Sequence, residues 1–225
     1  IVKEVVESST HPIKKYPYST PTYEIEDGIT AIDTPDGMMP LEIFGDHNLQ
    51  NLAGAKWICQ HMGIDEDDFY EAIASFTGAS KRLEKIAENS QTVIFKDFAH
   101  SPSKVKATTE AVKKQYAQRD VIACLELHTY SSLNAAFLAE YNGALDKADK
   151  AVVFYSPHAV KIKQLDSVSE EQISNAFQRD DLIIFTNPAE FKEFLFSQNL
   201  HQSAVVLMSS GNYGGLDFEE VKGLV

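Results

Sequence analysis

The chain is 225 residues long, 44% hydrophobic and 24% charged, with a formal net charge of −13. That length buries a real core as one large domain or two small ones, and the acidic balance argues against nucleic acid, whose phosphates call for a basic surface. No apolar run approaches the roughly 18 residues that cross a bilayer, and Cys59 and Cys124 lie far apart in apolar stretches, as reduced core residues of a cytoplasmic protein do.

Ile1–Glu7 lacks the pattern of a signal peptide and reads as a helix cut mid-course, so the true N-terminus is expected upstream. Tyr23-Glu24-Ile25 and Ile29–Ile32 flank Glu26-Asp27-Gly28 as a hairpin, and a turn at Pro35-Asp36-Gly37 leads to a strand expected at about Leu41–Phe44. From Asn48 to Met62, Leu49, Leu52, Ala53, Ile58, Cys59 and Met62 fit one buried helical face, closed by Gly63. Asp65 caps a second helix carrying Phe69, Ile73 and Phe76. Beyond residue 88, strands alternate with helices. Strands are expected at Thr92–Phe95, Val121–Leu127, Ala151–Tyr155, Leu182–Phe185 and Ala204–Met208. Helices are expected from Ser101-Pro102, over about Leu133–Leu145, and from Asn187-Pro188-Ala189-Glu190. Apolar strands separated by helices predict an α/β fold, a mostly parallel sheet covered on both faces. The composition shift near Lys85–Asn89 divides the chain into an incomplete first segment and a second domain.

Four stretches stand out chemically. His47, Asn48 and Asn51 crowd the mouth of the first long helix, although a helix start needs one capping residue and Asn is poor inside helices. Adjacent Lys81 and Arg82, in so acidic a chain, suit phosphate oxygens, the alternative being an interdomain salt bridge. In open parallel sheets ligands sit beyond the strand C-termini, where Lys96-Asp97-Phe98-Ala99-His100-Ser101-Pro102 falls. Asp97 there suits ribose hydroxyls, or else, with Ser101, caps the next helix. The loops at Glu126–Ser132 and Met208–Gly215 occupy equivalent positions and suit a substrate, though a satisfied polar cluster and a simple turn are equal readings. No Walker A loop and no histidine-built metal pair is present.

The order GxHNxxNxxxA, FxGxxxRxE, DFAHSPxKVxAT resembles the ATP-dependent Mur ligases of peptidoglycan synthesis, from about residue 20 to the end. Met208–Leu216 resembles the murein peptide ligase branch, and Leu127–Ser131 the UDP-N-acetylmuramate–L-alanine ligase branch. The resemblance implies that residues 1–87 are the tail of a central ATPase domain without its P-loop, and 88–225 a Rossmann-like C-terminal domain. It implies ATP and Mg2+ as cofactors, with the metal ligands upstream, and UDP-N-acetylmuramate and an amine as substrates. By position, His47, Asn48 and Asn51 would surround adenine, Arg82 and Lys81 reach the phosphates, Asp97 hold the ribose and His100 line the cleft. His128, Ser209, Ser210 and Gly211 would face the incoming amine. No catalytic group is assigned within the chain. Thr129 and Ser132 stand where the L-alanine ligases carry arginines, which leaves the acceptor's identity open. A non-catalytic binding module and a folylpolyglutamate-synthase-like ligase are the competing expectations.

Overall fold

The computed structural model of the protein describes residues 2–166 and 168–225. Helix α1 (Val2–Ser8) buries no side chain; Ile1 lies outside the described residues. Strands β1 (Tyr23–Glu26), β2 (Ile29–Thr34) and β3 (Gly37–Leu41) form an antiparallel sheet in that order. The third strand starts at Gly37 and ends where it was expected to begin. The reason is the tightness of the turn: Thr34 pairs directly with Gly37, and Thr30 with Leu41. Pro40 lacks an N–H and is accommodated because β3 is an edge strand. Ile43 and Phe44 are buried beyond its end.

Helix α2 (Asp46–His61) and helix α3 (Glu66–Ala74) follow. Asp65 caps α3 by accepting the Asp68 amide. Leu49, Leu52 and Phe69 pack onto Ile32, Leu41 and Ile43, closing a small core over the three-stranded sheet.

The second unit is built on β4 (Glu84–Glu88), β5 (Thr92–Asp97), α4 (Pro102–Gln115), β6 (Asp120–Leu127), α5 (Ala135–Leu138), β7 (Lys150–Tyr155), α6 (Pro157–Ile162), α7 (Glu170–Phe177), β8 (Ile183–Phe185), α8 (Pro188–Ser197), β9 (Ser203–Met208) and α9 (Phe218–Lys222). Its sheet runs β4-β5-β9-β6-β7-β8, parallel throughout except for β4, which pairs antiparallel with β5. Strand β4 lies where composition suggests a boundary, and its half-exposed Glu-Lys-Ile-Ala-Glu pattern carries little strand signal. The helix expected over Leu133–Leu145 is short. It is α5 followed by a 3₁₀ turn at Ala139–Tyr141, because Asn142-Gly143 diverts the chain with Gly143 at φ +71°.

Successive strand residues face opposite sides and build two cores. Val93, Phe95, Ala123, Leu125 and Val153 pack against α4, α5 and α7 through Val105, Val112, Leu138, Ile173 and Phe177. On the other face Ile94, Ile122, Cys124, Phe154 and Leu207 meet Phe191 and Leu195 of α8 and Val221 of α9. The two units join through Phe44, edge-on to Phe95 at 5.3 Å. Beside it, buried Gln115 accepts Thr30 Oγ1 at 2.7 Å and donates to the Gly28 carbonyl at 2.6 Å.

From β5 the chain steps outward to β6, β7 and β8, then returns to insert β9 between β5 and β6. The loops leaving β5, β9 and β6 are therefore neighbours at one end of the sheet, the place where open α/β sheets bind ligands.

Candidate functional site

The first wall is the start of α2. Gly45, at φ +90°, turns the chain into the helix, and no side chain caps it. A Cβ there would lie 2.8 Å from the Ala111 side chain, so α2 abuts α4 closely at this point. The polar cluster is thus not a capping device. Asn48 Nδ2 donates to the Phe44 carbonyl at 3.0 Å, a local tie that stiffens the helix entry. Asn51 is exposed. His47 is half-buried and within electrostatic reach of Arg82, Asp97 and Asp46. Burial lowers its pKa below the ordinary value; Asp97 and Asp46 oppose this, and Arg82 reinforces it. The lowered pKa favours the neutral imidazole, a form suited to lying beside an uncharged base.

The second wall is the segment Lys81–Glu84 with the end of β5. Lys81 and Leu83 adopt left-handed backbone conformations, φ +57° and +47°. They are held there by two carboxylates. Glu84 accepts the Lys81 amide at 2.7 Å, and Asp97 Oδ2 accepts the Leu83 amide at 2.6 Å. Asp97 Oδ1 also takes the Ala99 amide at 2.6 Å and Thr108 Oγ1 at 3.4 Å. Buried Asp97 therefore fastens the interdomain segment to β5, whatever else its remaining lone pairs bind. Ser101 makes no side-chain cap on α4, so capping does not explain either residue. Arg82 is exposed and has no carboxylate partner among the described residues, which disfavours the salt-bridge alternative. His100 is partly buried, its Nδ1 2.8 Å from the Phe98 carbonyl and its own carbonyl accepting from Tyr141.

The third group lies at the ends of β6 and β9. Glu126 is 3% exposed. Its Oε2 accepts Ser209 Oγ–H and the Tyr213 amide, the latter at 2.9 Å. Its Oε1 lies 3.5 Å from His128 Nδ1. Ser209 Oγ in turn accepts the Gly211 amide at 2.6 Å, closing the loop upon itself. Ser210 Oγ is buried without a hydrogen-bond partner among the described residues. Ser209 N donates to the Asp97 carbonyl at 2.9 Å, linking this group to the second wall.

Thr129 and Ser132 satisfy each other. The Thr129 amide donates to Ser132 Oγ at 2.9 Å and the Ser132 amide to Thr129 Oγ1 at 3.1 Å. They close a turn and offer no cationic clamp. Three strands thus bring Asp97, His128 and Ser209–Gly211 side by side, and α2 adds His47. Sequence reasoning placed Glu126 and Tyr213 within two candidate loops but gave neither a role. The available signal was a glutamate inside an otherwise apolar strand, since such a residue is buried only with partners.

A family model described as the Mur ligase glutamate ligase domain matches residues 81–211. A UDP-N-acetylmuramate–L-alanine ligase of Gloeothece citriformis is 32% identical over 158 residues, 68% of this chain and 31% of that protein. Among solved structures, a UDP-N-acetylmuramate–alanine ligase from Thermotoga maritima superposes with a TM-score of 0.66 at 14% identity, covering 89% of this chain and 44% of the other. A murein peptide ligase from Psychrobacter arcticus gives 0.57 at 20% identity, over 90% and 43%. At such identities the structural likeness is one of fold. The chain spans about a third of the length of the curated relatives it matches.

Proposed function

Because the chain belongs to the Mur ligase family, we propose that it is the C-terminal part of an ATP-dependent, cytoplasmic ligase of peptidoglycan synthesis or recycling. The part up to about residue 80 is the end of the central ATPase domain, and the unit from β4 (Glu84–Glu88) onward is the domain that closes over the nucleotide. The ligase joins an amino acid or peptide amine to UDP-N-acetylmuramate. A substrate carboxylate takes the γ-phosphoryl group of ATP, and the amine attacks the acyl phosphate, releasing phosphate. Catalysis here is chiefly positioning and charge stabilisation.

The observation that carries this reading is the convergence of half-buried His47, amide-bound Asp97 and unpaired Arg82 at one corner. The donor set fits a nucleotide: a neutral ring and amides for the base, a guanidinium for phosphate oxygens. Among the described residues no group of three carboxylate, histidine or cysteine side chains is placed to hold a metal ion. The Mg2+ ligands are assigned to the P-loop domain.

The test is phosphate release by the protein carrying this chain behind its ATPase domain. Release that requires ATP, UDP-N-acetylmuramate and an amine together is expected. Release independent of the sugar nucleotide, or none with any amine, would sink the reading. ATP and sugar-nucleotide binding without turnover would point to a non-catalytic module.

A further inference from the structure

We propose that Glu126 is the positioning residue of the acceptor side. Its carboxylate, facing Nδ1 across an electrostatic contact, biases His128 toward the tautomer protonated at Nδ1, so that the outward Nε2 presents a lone pair, not a donor, to the incoming substrate. The inference rests on the reading of His128 as an acceptor-side residue, and it specifies which part of the acceptor that residue meets.

Three observations carry it. Glu126 is buried at the C-terminal end of β6, with one oxygen committed to Ser209 and the Tyr213 amide and the other 3.5 Å from His128 Nδ1. A carboxylate can only accept, so a neutral imidazole beside it keeps its proton on the facing nitrogen and its lone pair on the far one. The His128 side chain is 41% exposed, against 4% for Glu126, so the ring bridges a buried carboxylate and solvent.

The third observation is Gly211. A Cβ at this position would lie 2.8 Å from Glu126 Oε2 and 3.0 Å from His128 Cγ and Nδ1. The loop after β9 therefore passes against both side chains and confines the pair. Tyr213 completes the frame, its hydroxyl donating within the set of Cys124 and Met208 carbonyls at 2.7 and 2.9 Å.

The consequence is a polarity for the site. An Nε2 lone pair attracts N–H and repels carboxylate oxygen. It therefore receives the acceptor's amine end. A carboxylate on the acceptor must be held elsewhere, since Thr129 and Ser132 are occupied with each other.

The test is the 15N spectrum of the His128 ring in this 225-residue chain, recorded where the ring is neutral. The expected result is a protonated Nδ1 and an unprotonated Nε2. Glu126→Gln keeps one oxygen for Ser209 and the Tyr213 amide but turns an NH2 donor toward Nδ1. The tautomer should then invert. In the ligase carrying this chain, the same substitution should raise the KM for the amine about tenfold, the loss of one hydrogen bond, and leave the KM for ATP unchanged.

An Nε2–H tautomer in the unsubstituted chain overturns the proposal, as does an unchanged tautomer in Glu126→Gln. A KM effect that falls equally on ATP also overturns it, because it marks general loss of structure. The Nδ1–H tautomer in a protein without ligase turnover upholds the positioning role while overturning the ligase reading, so the two fail separately.

Discussion

Asp97 accepts the backbone amide of Leu83 at 2.6 Å, joining the end of β5 to a segment 14 residues earlier in the chain. Leu83 holds a left-handed conformation, φ +47°, that a leucine adopts only when its surroundings enforce it. The same segment carries Arg82. One buried carboxylate thus sets the path of the interdomain connection and, through it, where the exposed Arg82 guanidinium lies.

Asp97→Asn should be markedly destabilising despite its near-identical shape. Each carboxylate oxygen receives a backbone N–H, from Ala99 and from Leu83. Asparagine keeps one acceptor and turns a donor against the other amide, leaving a buried N–H without a partner. A loss of about 1–3 kcal/mol is expected, read from urea unfolding midpoints. An unchanged midpoint would show that the carboxylate does not organise this connection.

His47 should titrate below 6.5, the ordinary value for histidine, because burial outweighs the pull of Asp97 and Asp46. The sign for stability follows from linkage. The fold favours neutral His47, so its contribution is fully present above pH 6.5 and is lost as pH falls through the lower folded value. Arg82→Ala removes a charge that pushes the same way as burial, so the His47 midpoint should rise. NMR titration of the ring measures both. An unmoved midpoint in Arg82→Ala would separate the two residues and break the proposed corner.

Gly211→Ala places a methyl against two side chains that have little room to yield. Glu126 Oε2, 2.8 Å from the new atom, is already bound to Ser209 and the Tyr213 amide. Overpacking of this kind costs about 1–3 kcal/mol, measurable as a lowered unfolding midpoint with displaced His128 ring signals. Wild-type stability would mean that the loop after β9 stands off from β6.

The sheet was legible because five strands are apolar on both faces, the composition that parallel strands between helix layers require. β3 and β4 were not. Both are short edge strands whose alternation is diluted by Pro40 in one and by charges in the other. The α5 helix was overread because its apolar spacing continues past Asn142-Gly143, where backbone freedom decides instead.

The candidate site divides similarly. Asp97, Arg82 and His47 were identifiable as unusual residue types at strand and helix ends. Their meeting depended on β9 returning between β5 and β6, which local sequence does not encode. Glu126 was given no role because its importance lies in what it holds, and Ser209, singled out as a substrate contact, is bound inward to that carboxylate.

The most direct measurement is the turnover of Arg82→Ala in the proposed ligase. Arg82 is exposed and makes no ion pair among the described residues, so the unfolding midpoint should stay at its wild-type value. If Arg82 is the proposed phosphate contact, losing its charge should lower kcat on the order of 100-fold or more. Unchanged turnover in a folded variant would contradict the account, because the corner formed by His47, Arg82 and Asp97 would then not be where ATP is bound.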